Sequence, residues 1–287
     1  MSERILITKA DGDQESFDEN KLRESLRRAG ADEVTVDTVA GKIRNELVSG
    51  ITTKEIYKHA FFLLRKYKRP VAARYSLKRA IMDLGPSGFP FEDFLAEVFK
   101  QQGFKTKVGT IVQGFCVEHE VDVIAENENK IIIVEAKFHN DLSIKSDLKV
   151  ALYVKARVDD IKRGGIESKG NENHSGLAKA VEGWIITNTR FTENAIKYAS
   201  CNDLKLLSWD YPSKGNLYDF IHDFSVHPVT SLTTLTKQEK TQLLDKGVVL
   251  CDSIKNDRNL LNSLGVSPLR AEKIHQEATL ICTQPFV

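Results

Sequence analysis

The chain has 287 residues, with 41 Lys and Arg against 40 Asp and Glu, so its net charge of +1 carries no polycationic signature of nucleic-acid binding. Its length suggests about two domains. No stretch reaches the ~18 apolar residues of a membrane span, and the first residues contain no apolar signal segment. We therefore expect a cytoplasmic protein with no membrane partner.

Residues 1–85 predict a β-hairpin followed by a small bundle of helices. The turn signal Asp11-Gly12 separates two short extended runs, and the Thr52-Thr53-Lys54-Glu55 stretch is a capping box at the start of a helix. The predicted elements are strands at residues 4–8 and 15–17 and helices that begin near Asp18, Val36, Thr52 and Pro70.

Four motifs in this segment occur in the order typical of one known domain. They are Ile7-Thr8-Lys9-Ala10-Asp11-Gly12, Glu15-Ser16-Phe17-Asp18 with Lys21, Ile51-Thr52-Thr53 with Glu55-Ile56, and Ala73-Arg74-Tyr75 with Lys78-Arg79. The segment resembles the ATP-cone domain, a nucleotide-sensing module best known from ribonucleotide reductases. That resemblance implies ATP or dATP as an effector. The chain departs from the pattern at Ala10, where Arg is usual, and at Tyr57, where His is frequent.

A triphosphate needs several positive donors that converge from different elements. Thr53 lies at a helix start, where a hydroxyl and free N–H groups favour phosphate or purine contacts, and Glu15 can accept a hydrogen bond from an adenine amino group. The predicted nucleotide-binding residues are Lys9, Glu15, Phe17, Lys21, Thr53, Tyr57, Lys78 and Arg79. The alternative is that these charged residues belong to solvated helix faces.

Residues 86–225 predict an α/β domain with a mixed sheet and helices on both faces, so that the chain as a whole is expected to be α+β. An apolar stripe from Phe91 to Phe99 indicates an amphipathic helix. Two β-rich runs, 117–125 and 130–138, flank a polar turn and predict a β-hairpin. The remaining elements are a strand near 105–111, a helix at 145–163, a strand at 183–188, a helix capped by Thr192 and a strand at 204–209.

Charged residues interrupt the apolar faces of the predicted hairpin. Successive side chains on a strand alternate faces, so Glu135 and Lys137 share a face with Ile131 and Ile133. The same rule predicts that Asp122 faces opposite to its two valine neighbours. Burying such charges without partners is costly, so the cluster favours a metal-dependent site. The alternative is a surface salt bridge on a hairpin.

Asp122 followed by Glu135-Ala136-Lys137 resembles the D…(D/E)xK signature of restriction-endonuclease-like nucleases, and the stretch from Trp184 to Thr192 resembles their Mrr-type branch. The resemblance implies that Asp122 and Glu135 bind Mg²⁺ or Mn²⁺ together with the Ala136 carbonyl. It also implies that Lys137 assists catalysis and that Glu92 is brought towards the metal, although an exposed helical glutamate is an equal alternative for Glu92.

The segment 86–225 holds 17 Lys and Arg against 21 Asp and Glu, a net charge of −4. An acidic domain that acts on a polyanion needs metal or basic neighbours. We predict Lys149, Lys155 and Arg157 as DNA-binding residues, and a lysine-containing loop at 169–176 as either close to nucleic acid or an ordinary surface loop. His139 is expected to end the strand rather than to assist the site.

Residues 226–287 predict short helices, and the turn at Gly265 weakly resembles a helix-hairpin-helix element; a packing appendix or an oligomer contact is an equal alternative. The four cysteines, Cys116, Cys201, Cys251 and Cys282, form no CxxC pair, so we expect buried thiols rather than a zinc or disulfide framework.

The leading hypothesis is a Mg²⁺-dependent DNA endonuclease regulated by ATP or dATP and acting as a homo-oligomer. The alternative is a nucleotide-sensing DNA-binding regulator with an inactive nuclease fold. A cone that hydrolyses ATP is a weaker idea, because the chain contains no G-x-x-x-x-G-K-[ST] loop.

Overall fold

The computed structural model describes residues 5–9, 12–166 and 179–283. It has the predicted α+β architecture: an N-terminal hairpin with helices, a central mixed sheet flanked by helices, and a helical C-terminal segment. The predicted loop at 169–176 lies outside the described residues.

The two strands of the N-terminal hairpin pair in antiparallel fashion, and Thr8 also bridges to Thr52. Asp18 caps the first helix through the backbone amides of Asn20 and Lys21, and Thr52 and Glu55 form the predicted capping box. The elements are β1 (Leu6–Thr8), β2 (Gln14–Ser16), α1 (Glu19–Arg28), α2 (Glu33–Glu46), α3 (Thr53–Tyr67), α4 (Arg69–Tyr75) and α5 (Leu77–Met82).

The central sheet has five strands, in the order β3 (Lys105–Gln113), β4 (Glu118–Glu126), β5 (Lys130–Lys137), β7 (Ala180–Thr187) and β9 (Leu204–Leu207). The first three strands are antiparallel and the last three are parallel. The other elements of this region are the short strands β6 (Lys145–Ser146) and β8 (Arg190–Phe191) and the helices α6 (Phe89–Gln101), α7 (Leu148–Arg163) and α8 (Glu193–Cys201). The helix predicted at 145–163 begins later, because its first residues form β6 against β8.

Each face of the sheet is buried under different helices. Ile132 and Val134 of β5 pack with Phe91 and Phe94 of α6. Ile131 and Ile133 of β5 lie on the other face, with apolar residues of α7 and α8. The alternation predicted for this strand is therefore confirmed, and it fixes which helix each side chain of β5 meets.

The last helix of the N-terminal segment shares a core with the sheet. Leu77, Ile81 and Leu84 are at most 1% exposed and belong to the same apolar cluster as Phe91 and Ile132. The C-terminal helices α9 (Leu217–Asp223), α10 (Lys237–Asp245), α11 (Cys251–Asn256), α12 (Asn259–Asn262) and α13 (Pro268–Thr283) follow. A cluster of their side chains includes Ala73 of α4, so all parts of the fold are in contact.

Two details differ from the expectations. Cys116 and Cys201 are exposed and only Cys251 is fully buried, because the first two lie on a hairpin tip and at the end of a surface helix. Throughout the part of the chain that is described, every helix is too short or too polar to span a bilayer.

Candidate functional site

The candidate site lies where β4 and β5 diverge. Their antiparallel register ends at Val123 and Val134, so Asp122 and Glu135 occupy the next position, where the strands are no longer paired. β5 remains paired with β7 as far as Lys137. The Ala136 amide donates to Asp122 Oδ2 at 2.7 Å, so a carboxylate fills the place of a strand partner.

The face of Asp122 was predicted wrongly. Val121 packs on the α7 side of the sheet and Val123 on the α6 side, so the alternation breaks between them. The β3–β4 register also skips this position: Val108 pairs with Val123 and Thr110 with Val121, while Gly109 has a φ of +54°. This backbone is favourable for glycine, and the irregularity places Asp122 between the two faces.

Glu135 is 8% exposed and is held by two side chains of α7. Arg157 donates to its Oε2 at 2.6 Å, and the Tyr153 hydroxyl is also hydrogen-bonded to it. The Arg157 guanidinium lies 4.7 Å from the centre of the Tyr153 ring. Tyr153 and Arg157 are four residues apart, so they share one face of the helix.

Carboxylates converge on Asp122. Burial, and then the neighbouring Glu135, raise the pKa of Asp122 to about 6. Burial and then Asp122 raise the pKa of Glu92 to about 7. Glu92 lies in the first turn of α6, and its role at a metal site stays a prediction. Like charges held together favour protonation, or a cation, in their midst.

Lys137 is the last residue of β5 and is partly exposed. Among the described residues it makes no ion pair. Burial and the nearby Lys137 lower the pKa of His139, whose Nε2 lies 3.0 Å from Ser146 Oγ. Of the predicted DNA-binding residues, Lys149 is exposed and Lys155 pairs with Asp159 at 2.6 Å, whereas Arg157 lies inside the site.

The donor set suits a divalent metal in its chemistry, since Asp122 and Glu135 are hard oxygen ligands with mutually unfavourable charges. The described residues contain no group of three or more His, Cys, Asp or Glu side chains already arranged around a metal position. In the described structure the Ala136 amide engages Asp122 and Arg157 engages Glu135.

A second candidate site is a cavity of about 180 Å³ in the N-terminal segment. Glu15, Phe17, Lys21, Thr53 and Tyr57, five of the predicted nucleotide-binding residues, line it. Lys9 pairs with Glu15 at 2.7 Å, and this hydrogen bond holds the pKa of Glu15 below its usual value.

The other two predicted residues lie on α5. Arg79 pairs with Asp83 at 2.9 Å and influences the pKa of Tyr57, which burial raises. Lys78 points elsewhere: its Nζ lies 5.7 Å from the Trp209 ring centre, at the contact with the sheet domain. A nucleotide-binding role for Lys78 stays a prediction. Another cavity, of about 320 Å³, is lined by residues of β7, α8, β9 and the 211–215 loop.

Sequence reasoning missed Tyr153 and Asn188. Tyr153 stands one helical turn before Arg157, so helical spacing was a usable signal. Asn188 is 1% exposed and binds the backbone of His139 through both ends of its amide. Its place in the stretch from Trp184 to Thr192, directly after a buried strand, was a usable signal.

Family models divide the chain into three consecutive matches. Residues 5–84 match the ATP cone domain, residues 85–211 the restriction endonuclease domain of the Mrr type, and residues 227–282 the AF1548-like C-terminal domain. The chain is thus an ATP cone followed by an Mrr-type restriction-endonuclease domain. This combination indicates a nuclease with nucleotide sensing.

An uncharacterized protein of Archaeoglobus fulgidus is 34% identical over 185 residues, which cover 64% of this chain and 97% of the relative. The crystal structure of AF1548, a protein of unknown function, superposes with a TM-score of 0.54 at 32% identity, covering 68% of this chain and 98% of that one. The chain belongs to the AF1548-like family. A structure of Can2 from Sulfobacillus thermosulfidooxidans with cyclic tetra-adenylate matches with a TM-score of 0.29 at 12% identity, which is too low to inform function.

Proposed function

We propose that this protein is a divalent-metal-dependent DNA endonuclease whose activity is controlled by ATP or dATP bound to its cone. The observation that carries the proposal is the placement of Asp122 and Glu135 side by side at the divergence of β4 and β5, with the Ala136 amide donating to Asp122 and Lys137 at the end of the same strand. Restriction-endonuclease domains generally use a divalent metal, and this carboxylate group fits that requirement.

Asp122, Glu135 and the Ala136 carbonyl are proposed to hold Mg²⁺ or Mn²⁺, with Glu92 as the next carboxylate. When bound there, the cation supplies Lewis-acid stabilisation of the attacked phosphate. Lys137 then orients the attacking water or stabilises charge that develops on the phosphate. Arg157 holds Glu135 in place, and Arg157, Lys149 and Lys155 are proposed to contact DNA phosphates.

The cone cavity is proposed to bind the adenine nucleotide. Lys9 and Lys21 both form ion pairs with Glu15, which lines the cavity. Thr53 lies at the start of α3, where backbone amides favour phosphate. The Tyr57 ring stacks on Tyr75, with ring centres 5.2 Å apart, and forms an apolar wall for a base.

We further propose a division into residues 1–85, 86–225 and 226–287, which the bounds of the family matches support. In the last segment, α12 has only four residues, and α13 buries Ile274 and Ile281 against its neighbours. These features favour the packing role over a helix-hairpin-helix DNA contact. A homo-oligomer and a cytoplasmic location stay predictions.

The proposal is tested by cleavage of supercoiled and linear DNA with Mg²⁺ or Mn²⁺, with and without ATP and dATP. Lys137→Ala should lower the cleavage rate by on the order of 10²–10³-fold. Lys130→Ala is the matched control, because Lys130 lies at the other end of β5 and pairs with Glu182 at 3.3 Å. DNA binding without cleavage under every nucleotide condition would instead favour the regulator with an inactive nuclease fold.

A further inference from the structure

The buried Asn188 side chain holds the backbone that follows β5, the strand that ends at Lys137; this contact is called the clamp. Asn188 Oδ1 accepts from the His139 amide at 2.8 Å, and Asn188 Nδ2 donates to the His139 carbonyl at 2.8 Å. Two opposed hydrogen bonds to one residue fix both its position and its orientation. His139 is two residues beyond Lys137, so the clamp also limits where the Lys137 side chain begins.

The same amide touches the cone. Asn188 Nδ2 lies 3.0 Å from the sulfur of Met82, the last residue of α5. A thioether is a weak hydrogen-bond acceptor, so this contact combines a weak hydrogen bond to the sulfur with packing. It places the end of a cone helix directly behind the clamp.

The residues on either side of His139 touch the segment that joins the cone to the nuclease domain. A Cβ added at Gly85 would stand 2.6 Å from the Phe138 ring and 2.7 Å from Asn140 Oδ1. Asn140 Nδ2 donates to the Pro86 carbonyl at 3.1 Å. Three consecutive residues are therefore in contact with the end of the cone or the joining segment. Phe138 lies against Gly85, His139 is linked to Met82 through Asn188, and Asn140 binds Pro86.

The helix that ends at Met82 follows directly on a residue of the nucleotide cavity. Tyr75, the last residue of α4, lines the cavity and stacks on Tyr57 with ring centres 5.2 Å apart, and only Ser76 separates it from α5. α5 is six residues long, or about 9 Å at 1.5 Å per residue. Its Leu77 and Ile81 are at most 1% exposed in the core of the nuclease domain. A displacement of α5 therefore changes the packing of that core.

We propose that Asn188 is a positioning residue for Lys137, and that Met82 and Gly85 are the contacts through which the nucleotide state of the cone changes the geometry of the catalytic strand. This inference rests on the proposed function, since it names how the same site is regulated. It requires that nucleotide and DNA affect each other's binding reciprocally.

Gly85→Ala tests the coupling, because the added methyl group separates the joining segment from residues 138–140. Gly41→Ala is the matched control, since Gly41 lies in α2 with nothing within 4 Å of the added Cβ. Met82→Leu is the milder second variant, which keeps the volume and removes the sulfur. Each protein is measured for ATP and dATP affinity, for the nucleotide effect on cleavage, and for amide hydrogen exchange in residues 136–141 with and without nucleotide.

In the wild type and Gly41→Ala, nucleotide should change cleavage by a factor in the usual 5–150-fold range of allosteric coupling and should alter exchange in residues 136–141. In Gly85→Ala, nucleotide affinity should stay within about 2-fold, while both responses fall below about 2-fold. Met82→Leu should show a smaller loss of both. The coupling would be overturned if nucleotide changed cleavage and exchange in Gly85→Ala and Met82→Leu as much as in the wild type. It would also be overturned if nucleotide left hydrogen exchange in residues 136–141 of the wild type unchanged.

Asn188→Ala tests the positioning role. It should lower the cleavage rate at saturating DNA by roughly 10-fold or more, as expected for a misplaced catalytic group, and leave DNA affinity within about 2-fold. If the cleavage rate and the DNA affinity fall by the same factor, and that factor equals the loss of folded protein, Asn188 has only a structural role. If the wild type cleaves no DNA but its exchange still responds to nucleotide, the nuclease proposal fails and the coupling stands.

Discussion

Replacing Asp122 by Asn should make the metal-free protein more stable while abolishing its proposed metal site. The pKa of Asp122 is raised from 3.8 to about 6 by burial and by Glu135. Each pKa unit between folded and unfolded states is worth about 1.4 kcal/mol, so the ionised carboxylate costs about 3 kcal/mol. Partial solvent exposure reduces this to about 1–1.5 kcal/mol. The side-chain oxygen of the substituted asparagine can still accept from the Ala136 amide, so the backbone contact survives.

The pH dependence has a definite sign. A carboxyl whose folded pKa is raised stabilises the fold at low pH, and that contribution is lost as pH rises between about 4 and about 6. At pH 7.5 the wild type carries the whole penalty and the Asn variant carries none. At pH 4.5 the advantage of the variant should shrink to about a third.

Thermal unfolding in EDTA at pH 7.5 and 4.5 measures this difference. We expect a melting temperature about 2–5 °C higher for Asp122→Asn at pH 7.5. Asp160→Asn is the opposite control, because hydrogen bonds from His119 and from the Cys116 and Val117 amides lower the pKa of Asp160 to about 2. That variant should be less stable than the wild type. An Asp122→Asn protein that melts lower, or gains more on acidification, would refute the electrostatic argument.

Three further results are expected. Arg157→Gln should destabilise the metal-free protein by about 3 kcal/mol or more, measured by urea unfolding, because it leaves Glu135 buried without its charge partner; Arg157→Lys should lose less. Mn²⁺ affinity measured by calorimetry should rise from pH 5.5 to 7.5, with proton release, because the pKa values of Asp122 and Glu92 are raised to about 6 and about 7. Calorimetry of the whole chain should show one cooperative transition that Ile81→Ala lowers, since Ile81 lies in a core shared by cone and nuclease domain; two transitions with nucleotide moving only the first would contradict this.

Local periodicity was enough to predict the strand faces and most element boundaries. The two-residue repeat of β5 correctly placed Glu135 apart from Ile132 and Val134, because side-chain direction in a regular strand is a property of the backbone. The same rule failed at Asp122, where the strand is irregular. The positive φ of Gly109 on the neighbouring strand is a pairwise feature that the sequence of β4 alone does not contain.

Long-range contacts were beyond a sequence reading. Arg157 was predicted to meet DNA because it is basic and lies on a predicted helix, yet it pairs with Glu135, 22 residues earlier in the chain. Lys78 belongs to a nucleotide-binding motif, yet its ammonium faces Trp209. In both cases the residue type was informative, but the partner depends on how separate elements pack.

The boundary between the cone and the nuclease domain that the family matches give does not coincide with the edge of the nuclease core. The family matches meet at residues 84 and 85, but Leu77, Ile81 and Leu84 are buried with Phe91 of the nuclease domain. Burying three such side chains contributes about 5–8 kcal/mol to the stability of the fold, so this segment is part of the core rather than an exposed flexible linker. Because α5 belongs to the motif of one domain and to the core of the other, a change in the nucleotide cavity that moves α5 must also strain the nuclease core. The position of this helix, rather than the presence of two domains in one chain, gives the cone a physical means of acting on Lys137.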